Sequence, residues 1–155
     1  MANLESSQYE VAKAVIQNLW KGTVQSEENE YLNGRDFLLF LEDNSLANFL
    51  SAKEYIRYTH GDLNPSNILI KNDETYMIDW DMFGKGYFWF DILSLLVHPM
   101  TRLTSSERHS LIQEQLPDLS SSSIDELMHK FGQYKVLTLS QISGAEHLVE
   151  GYRNL

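Results

Sequence analysis

The feature that most limits what this chain can fold into is a pair of short apolar runs closed by a turn. Ile68-Leu69-Ile70 and Thr75 to Ile78 are strand-like, and Asn72-Asp73-Glu74 between them is turn chemistry. The pattern predicts a short hairpin whose two ends meet, with Asn67 at the entrance and Asp79 at the exit. Asp62 stands five residues before Asn67, in a turn that follows the apolar-aromatic stretch Tyr55 to Tyr58. The fold would therefore gather an amide and a carboxylate beside the Asp62 loop. Oxygen ligands collected at one edge suit a hard cation such as Mg²⁺, and a separate carboxylate nearby suits a general base.

The rest of the chain bounds this reading. Its 155 residues are 43% hydrophobic and 12% aromatic, enough for one domain with a packed core. A formal charge of −10 argues against a broad nucleic-acid surface or docking on anionic lipid, both of which need clustered Lys and Arg. A nucleotide remains compatible with that charge when a metal carries the phosphate contacts. With no cysteine there is no disulfide, no thiolate nucleophile and no cysteine-based zinc site. The first residues lack a basic-then-apolar signal pattern, and no apolar run approaches the length of a membrane span. The expectation is a soluble cytoplasmic protein.

Helix signals frame the hairpin on both sides. Met1 to Ser7 reads as a frayed lead-in, and Ser7 with Glu10 as a capping box opening a helix to about Trp20, stopped by Gly22. Thr23 to Glu30 reads as a solvated acidic loop. The dense run Phe37 to Leu41 must be buried, and Ser45 is expected to cap a helix reaching about Lys53. Gly84-Lys85-Gly86 reads as a loop, and Phe88 to Val97 as a buried helix ended by Pro99. Thr104 with Glu107 and Ser123 with Glu126 are two further capping boxes. The helix after Ser123 should turn Leu127, Phe131, Tyr134 and Leu137 or Leu139 inward, and Gly144 should break it before a last short helix through Tyr152. The expected class is α+β, mostly helical, with one small hairpin, and residues 1–155 read as a single domain.

Several site readings fail on their own chemistry. The run Asp79-X-Asp81-X-Phe83-Gly84 lacks the ligands of a calcium loop, because Phe83 and Phe90 fall where oxygens are required. His60-X-Asp62 is not matched by a third metal ligand, since His98, His109, His129 and His147 are scattered along the chain. Trp80, Phe88, Trp89 and Phe90 are expected in the core, Asp81 in water, and the acidic residues of the last helices on a solvated face. Singly, Asp62, Asn67 and Asp79 are ordinary turn residues. Their order and flanking pattern together point to a site.

Those residues carry a resemblance. His60-Gly61-Asp62-Leu63, then Asn67, then Ile78-Asp79-Trp80-Asp81, then Asp91-Ile92 resembles the aminoglycoside phosphotransferase and choline kinase family of the protein-kinase-like fold. The resemblance implies an ATP-dependent small-molecule kinase, a phosphotransferase with an alcohol group as acceptor. Asp62 would be the catalytic base, with Asn67 and Asp79 holding the Mg²⁺ that bridges the ATP phosphates. His60 and Asp91 would support the catalytic loop structurally. That family also has an N-terminal nucleotide-binding lobe with a covering loop and a strand lysine. No Gly-rich loop precedes His60 here, so the chain reads as the kinase-like C-terminal lobe alone, a possible fragment of a longer protein. Two functions follow as expectations: a phosphotransferase lobe acting on a small-molecule hydroxyl, or a non-catalytic kinase-like binding or interaction module.

Overall fold

Two residues in left-handed conformation set the hairpin. In the computed structural model, which describes residues 4–42 and 44–155, Asn72 and Asp73 have φ of 53° and 62°. Two consecutive positive φ values give a turn whose twist matches that of antiparallel strands, and Asn and Asp tolerate them best among residues with side chains. The strands are β2 (Ile68–Lys71) and β3 (Glu74–Met77), in a register that pairs Ile68 with Met77 and Lys71 with Glu74. Only Ile68 and Met77 pack against the core, and Leu69 and Ile70 stay exposed.

A second sheet was not expected. β1 (Ile56–Thr59) pairs antiparallel with β4 (Gly84–Tyr87), the stretch whose two glycines suggested a loop. Gly86 is there for space. Asn33 forms a bridge to it, donates its backbone N–H to Lys85 and accepts from Tyr87. A Cβ on Gly86 would fall 2.7 Å from the Asn33 carbonyl oxygen, so only glycine lets that third segment approach.

Among the described residues seven α-helices surround these sheets, and their caps explain their ends. α1 runs Leu4–Gln17, three residues earlier than its expected Ser7 cap, which therefore lies inside the helix; residues 1–3 are outside the described residues. α2 (Arg35–Leu41) buries Phe37 and Leu41 but leaves Leu39 69% exposed. The apolar run is thus amphipathic at helical spacing, not buried throughout. Asn44, not Ser45, caps α3 (Ser45–Leu50) by accepting from Ala47 N–H, and the helix stops short of Lys53; Asp43 lies outside the described residues.

α4 (Phe88–Leu96) is apolar nearly all round and sits at the centre. Trp89 on it donates its indole N–H to the Leu50 carbonyl at 2.9 Å. Phe37 meets Trp89, Phe131 and Tyr134 edge-on with ring centroids 5.3 to 5.9 Å apart. The expected capping box of Thr104 and Glu107 opens α5 (Ser105–Gln115). α6 (Ser121–Leu139) is capped by Ser120 in place of the expected Ser123, because Ser120 reaches the Ser123 N–H from one turn earlier. It buries Leu127 and Phe131, half-buries Tyr134 and Leu139, and leaves Leu137 exposed. Gly144, with φ of 89°, separates it from α7 (Glu146–Arg153). Arg108 on α5 donates to the carbonyls of Leu96, Thr101 and Leu103, pinning the chain that leaves α4. The class is mixed α and β, about half helical, with two small antiparallel sheets. No described helix is long and apolar enough to cross a membrane.

Candidate active site

Asp91 anchors the loop between the two sheets. It lies one turn into α4, 2% exposed, where burial pushes its carboxyl above the usual range while two amides pull the other way. Those amides are His60 N–H, donating at 2.8 Å, and Gly61 N–H, donating at 3.0 Å. The two short bonds satisfy a carboxylate that an apolar helix would otherwise strand. Gly61 is required by conformation: its φ is 89°, and a Cβ would overlap the Met82 carbonyl.

The imidazole of His60 carries the order of the loop onward. Its Nδ1 accepts the Asp62 N–H at 3.2 Å, and its Nε2 lies 2.8 Å from the Ile78 carbonyl. An amide can only donate and a carbonyl can only accept, so the bonding pattern assigns the hydrogen to Nε2. One buried ring thus links the backbone at Asp62 to the residue before Asp79. Trp80 covers it, ring centroid 4.6 Å away.

Asn67 completes the loop from the other side. It ends a helical turn at Pro65–Asn67, which Asn64 caps, and is 7% exposed. Its Nδ2 donates to the Asp62 backbone carbonyl at 2.8 Å and to Asp62 Oδ2 at 3.3 Å. Its own carbonyl accepts Ile78 N–H at 2.8 Å, extending the β2–β3 ladder one pair past the strand ends. Asn67 Oδ1 takes no hydrogen bond among the described residues, yet it is not sealed from solvent. Asp79 follows directly, exposed and left-handed with φ of 57°.

The structure therefore brings together Asp62 and Asn67 by direct hydrogen bonds, His60 and Asp91 beneath them, and Asp79 by its place next to the partner of Asn67. Asp62 is exposed, with Oδ1 accepting from Asn64 Nδ2 at 3.1 Å. Asp81 is exposed, as expected of a residue facing water. Phe88 and Trp89 are in the core, but Trp80 is 45% exposed and lines a cavity of about 170 Å³ with Trp20, Tyr58, His60 and Phe83. No group of three or more His, Cys, Asp or Glu side chains among the described residues could hold a metal ion. A site here would need the amide oxygen of Asn67.

Sequence reasoning missed Asn33. Buried at 4% exposure, it donates Nδ2 to Thr59 Oγ1 and to the Met82 carbonyl, both at 2.9 Å. It thereby ties β1 to the segment between Asp79 and β4. A single asparagine 27 residues before His60 carries no pattern that would have marked it.

The model of the phosphotransferase enzyme family matches residues 14–123, more than two thirds of the chain and all of the loop and hairpin just described. No curated protein and no solved structure matches the chain. The matched span carries Asp62, Asn67 and Asp91 in one hydrogen-bonded loop with Asp79 next to Ile78, and the chain belongs to the phosphotransferase enzyme family.

Proposed function

We propose that the chain moves the γ-phosphate of ATP to a hydroxyl of a small molecule, with Asp62 as the base and Asn67 and Asp79 as the ligands of Mg²⁺. In this reading these residues form the carboxy-terminal lobe of a kinase-like fold. The observation that carries it is the bonding of Asn67. Its amide nitrogen is committed to Asp62, its amide oxygen takes no hydrogen bond among the described residues, and its backbone carbonyl pairs with Ile78, the residue before Asp79. The donor set is oxygen only, which fits a hard cation and suits neither zinc nor copper.

Bound there, Mg²⁺ would neutralise charge on the phosphates. The side chains of this chain do the positioning. Asn64 and Asn67 hold the Asp62 carboxylate from either side, and the loop beneath it is fixed by Asp91 and His60. Asp62 is thereby aimed outward and ready to accept the proton of an incoming hydroxyl. A group held this way needs little reorganisation when the substrate arrives.

The test is ATP-dependent phosphorylation of a panel of alcohols, polyols and amino-alcohols. Asp62→Asn keeps the shape and removes the base, so transfer should fall by about 10²- to 10⁴-fold with the circular dichroism spectrum unchanged. An unchanged rate removes Asp62 from the reaction. Binding of Mg²⁺ and ATP with no transfer to any acceptor favours a non-catalytic module.

A further inference from the structure

β1, the strand that leads into the Asp62 loop, also carries a cation into a separate cavity. Side chains alternate along a strand, so Tyr58 lines the cavity above His60 while Arg57 lines another, of about 240 Å³. That second cavity lies where four parts of the chain meet. The segment just after α1 supplies Leu19, Trp20 and Lys21, β1 supplies Arg57, α4 supplies Phe88, and α5 ends on it with Gln115. None of Asp62, Asn67 and Asp79 lines it.

Arg57 is half-buried and lacks a counter-charge. Its guanidinium carbon stands 4.2 Å from the centroid of the Phe88 ring. A ring face satisfies the plane of a guanidinium and none of the N–H groups at its edge. The Nε is enclosed and has no acceptor, and it is the one side-chain nitrogen or oxygen of which this holds among the described residues. Neither Arg57 nor Lys21 forms an ion pair there; the described pairs are Lys85–Glu30 and His109–Asp125. Acidic residues outnumber basic ones 22 to 12, yet two cations and no carboxylate line this cavity. A guanidinium taken partly out of water without a counter-charge is unfavourable, and an anion brought to it restores the balance.

We infer that this cavity binds a phosphate dianion, free or carried on a small molecule, between Arg57 and Lys21. Charge sets the choice. Two cations with no acid leave two positive charges to offset, which a phosphate group above its second ionisation matches and a carboxylate half matches. Arg57 supplies the planar set of donors that fits phosphate oxygens, Lys21 a point charge at the exposed rim, and the Gln115 amide a neutral donor. Size sets a bound. The volume of about 240 Å³ is below the roughly 300 Å³ at which pockets for drug-sized ligands begin, so the occupant is the ion or a small ester and not a nucleotide. Bound there, the anion ties the end of α1 to β1 and α5. Trp20 walls both this cavity and the one above His60, so it is the side chain through which the two sites touch.

Inorganic phosphate, glycerol phosphate and acetate, titrated by NMR at mildly alkaline pH, fixed ionic strength and no divalent ion, read the site apart from the transfer centre. Both phosphates should shift the Arg57 Nε–H signal and the amides of Lys21 and Gln115 saturably, and acetate should bind about 10-fold more weakly. The tighter of the two phosphates identifies the occupant as the free ion or an ester. Arg57→Gln should weaken phosphate binding about 10-fold or more, and Lys21→Gln, a change at an exposed side chain, about fivefold. Phosphate should also raise the urea midpoint of the unsubstituted chain and not that of Arg57→Gln. If Arg57→Gln does not fold, Lys21→Gln decides alone. No saturable shift at these three residues, acetate binding as tightly as phosphate, or an affinity unchanged by either substitution would overturn the inference.

Discussion

His60 and Ile78 are joined across eighteen residues by one hydrogen bond, from the imidazole Nε2–H to the Ile78 carbonyl at 2.8 Å. The same ring receives the Asp62 amide. Two parts of the site that are distant in sequence therefore share one rigid, buried group. His60→Ala removes both bonds and leaves a cavity, and should lower stability by about 2–4 kcal/mol. Hydrogen exchange at Asp62 and Ile78 should speed up together. Faster exchange at only one of the two would mean that the ring does not couple them. Urea unfolding and exchange rates measured on the same samples check both halves.

Asp91 makes a sharper case, because two donors depend on it. Asp91→Asn keeps the size but offers one acceptor and points an N–H₂ at an amide N–H. The expected loss is about 2–3 kcal/mol, from a backbone donor left buried without a partner. Asp91→Ala orphans both donors and should cost more. Chemical denaturation of the two variants checks the order; an alanine variant as stable as the asparagine one would show that the carboxylate does not hold the loop.

His98 gives the chain a pH dependence. Burial, aided by the nearby Lys135 charge, lowers its pKa to about 4, while Asp62 acts weakly the other way. The folded state thus prefers the neutral ring. Its contribution is complete above the unfolded value near 6.5 and is lost as pH falls toward 4. At 1.36 kcal/mol per pKa unit, discounted for partial solvent access, the loss is about 2 kcal/mol. His98→Gln should flatten the stability profile between those two pH values. An equally steep profile in the variant would assign the dependence to carboxylates.

The site was legible in the sequence to the extent that local rules build it. Asn72-Asp73 names its own turn, and a turn of known length fixes which residues face each other, so the meeting of Asn67 with the Ile78–Asp79 segment follows from the hairpin. The capping box at Thr104 is read the same way. What failed was set by partners distant in sequence. Gly84 to Gly86 has loop composition, and it became a strand because β1 and Asn33 pair with it from either side. The one-residue errors at Ser45 and the longer one at Ser123 have a simpler cause. In each case a polar residue further upstream stands in the extended cap conformation, so Asn44 takes the Ala47 amide and Ser120 takes the amide of Ser123 itself. Leu39 was misplaced because an apolar run was read without asking which way a seven-residue helix turns.

The proposed transfer requires that Asn67 and Asp79 hold one divalent ion beside Asp62. Mn²⁺, a paramagnetic stand-in for Mg²⁺, titrated at substoichiometric levels with ATP present, should broaden the backbone amide signals of Asn67, Ile78, Asp79 and Asp62 first. Asp79→Asn should abolish that local effect. Broadening spread evenly over the acidic surface, or a pattern that Asp79→Asn leaves in place, would contradict it.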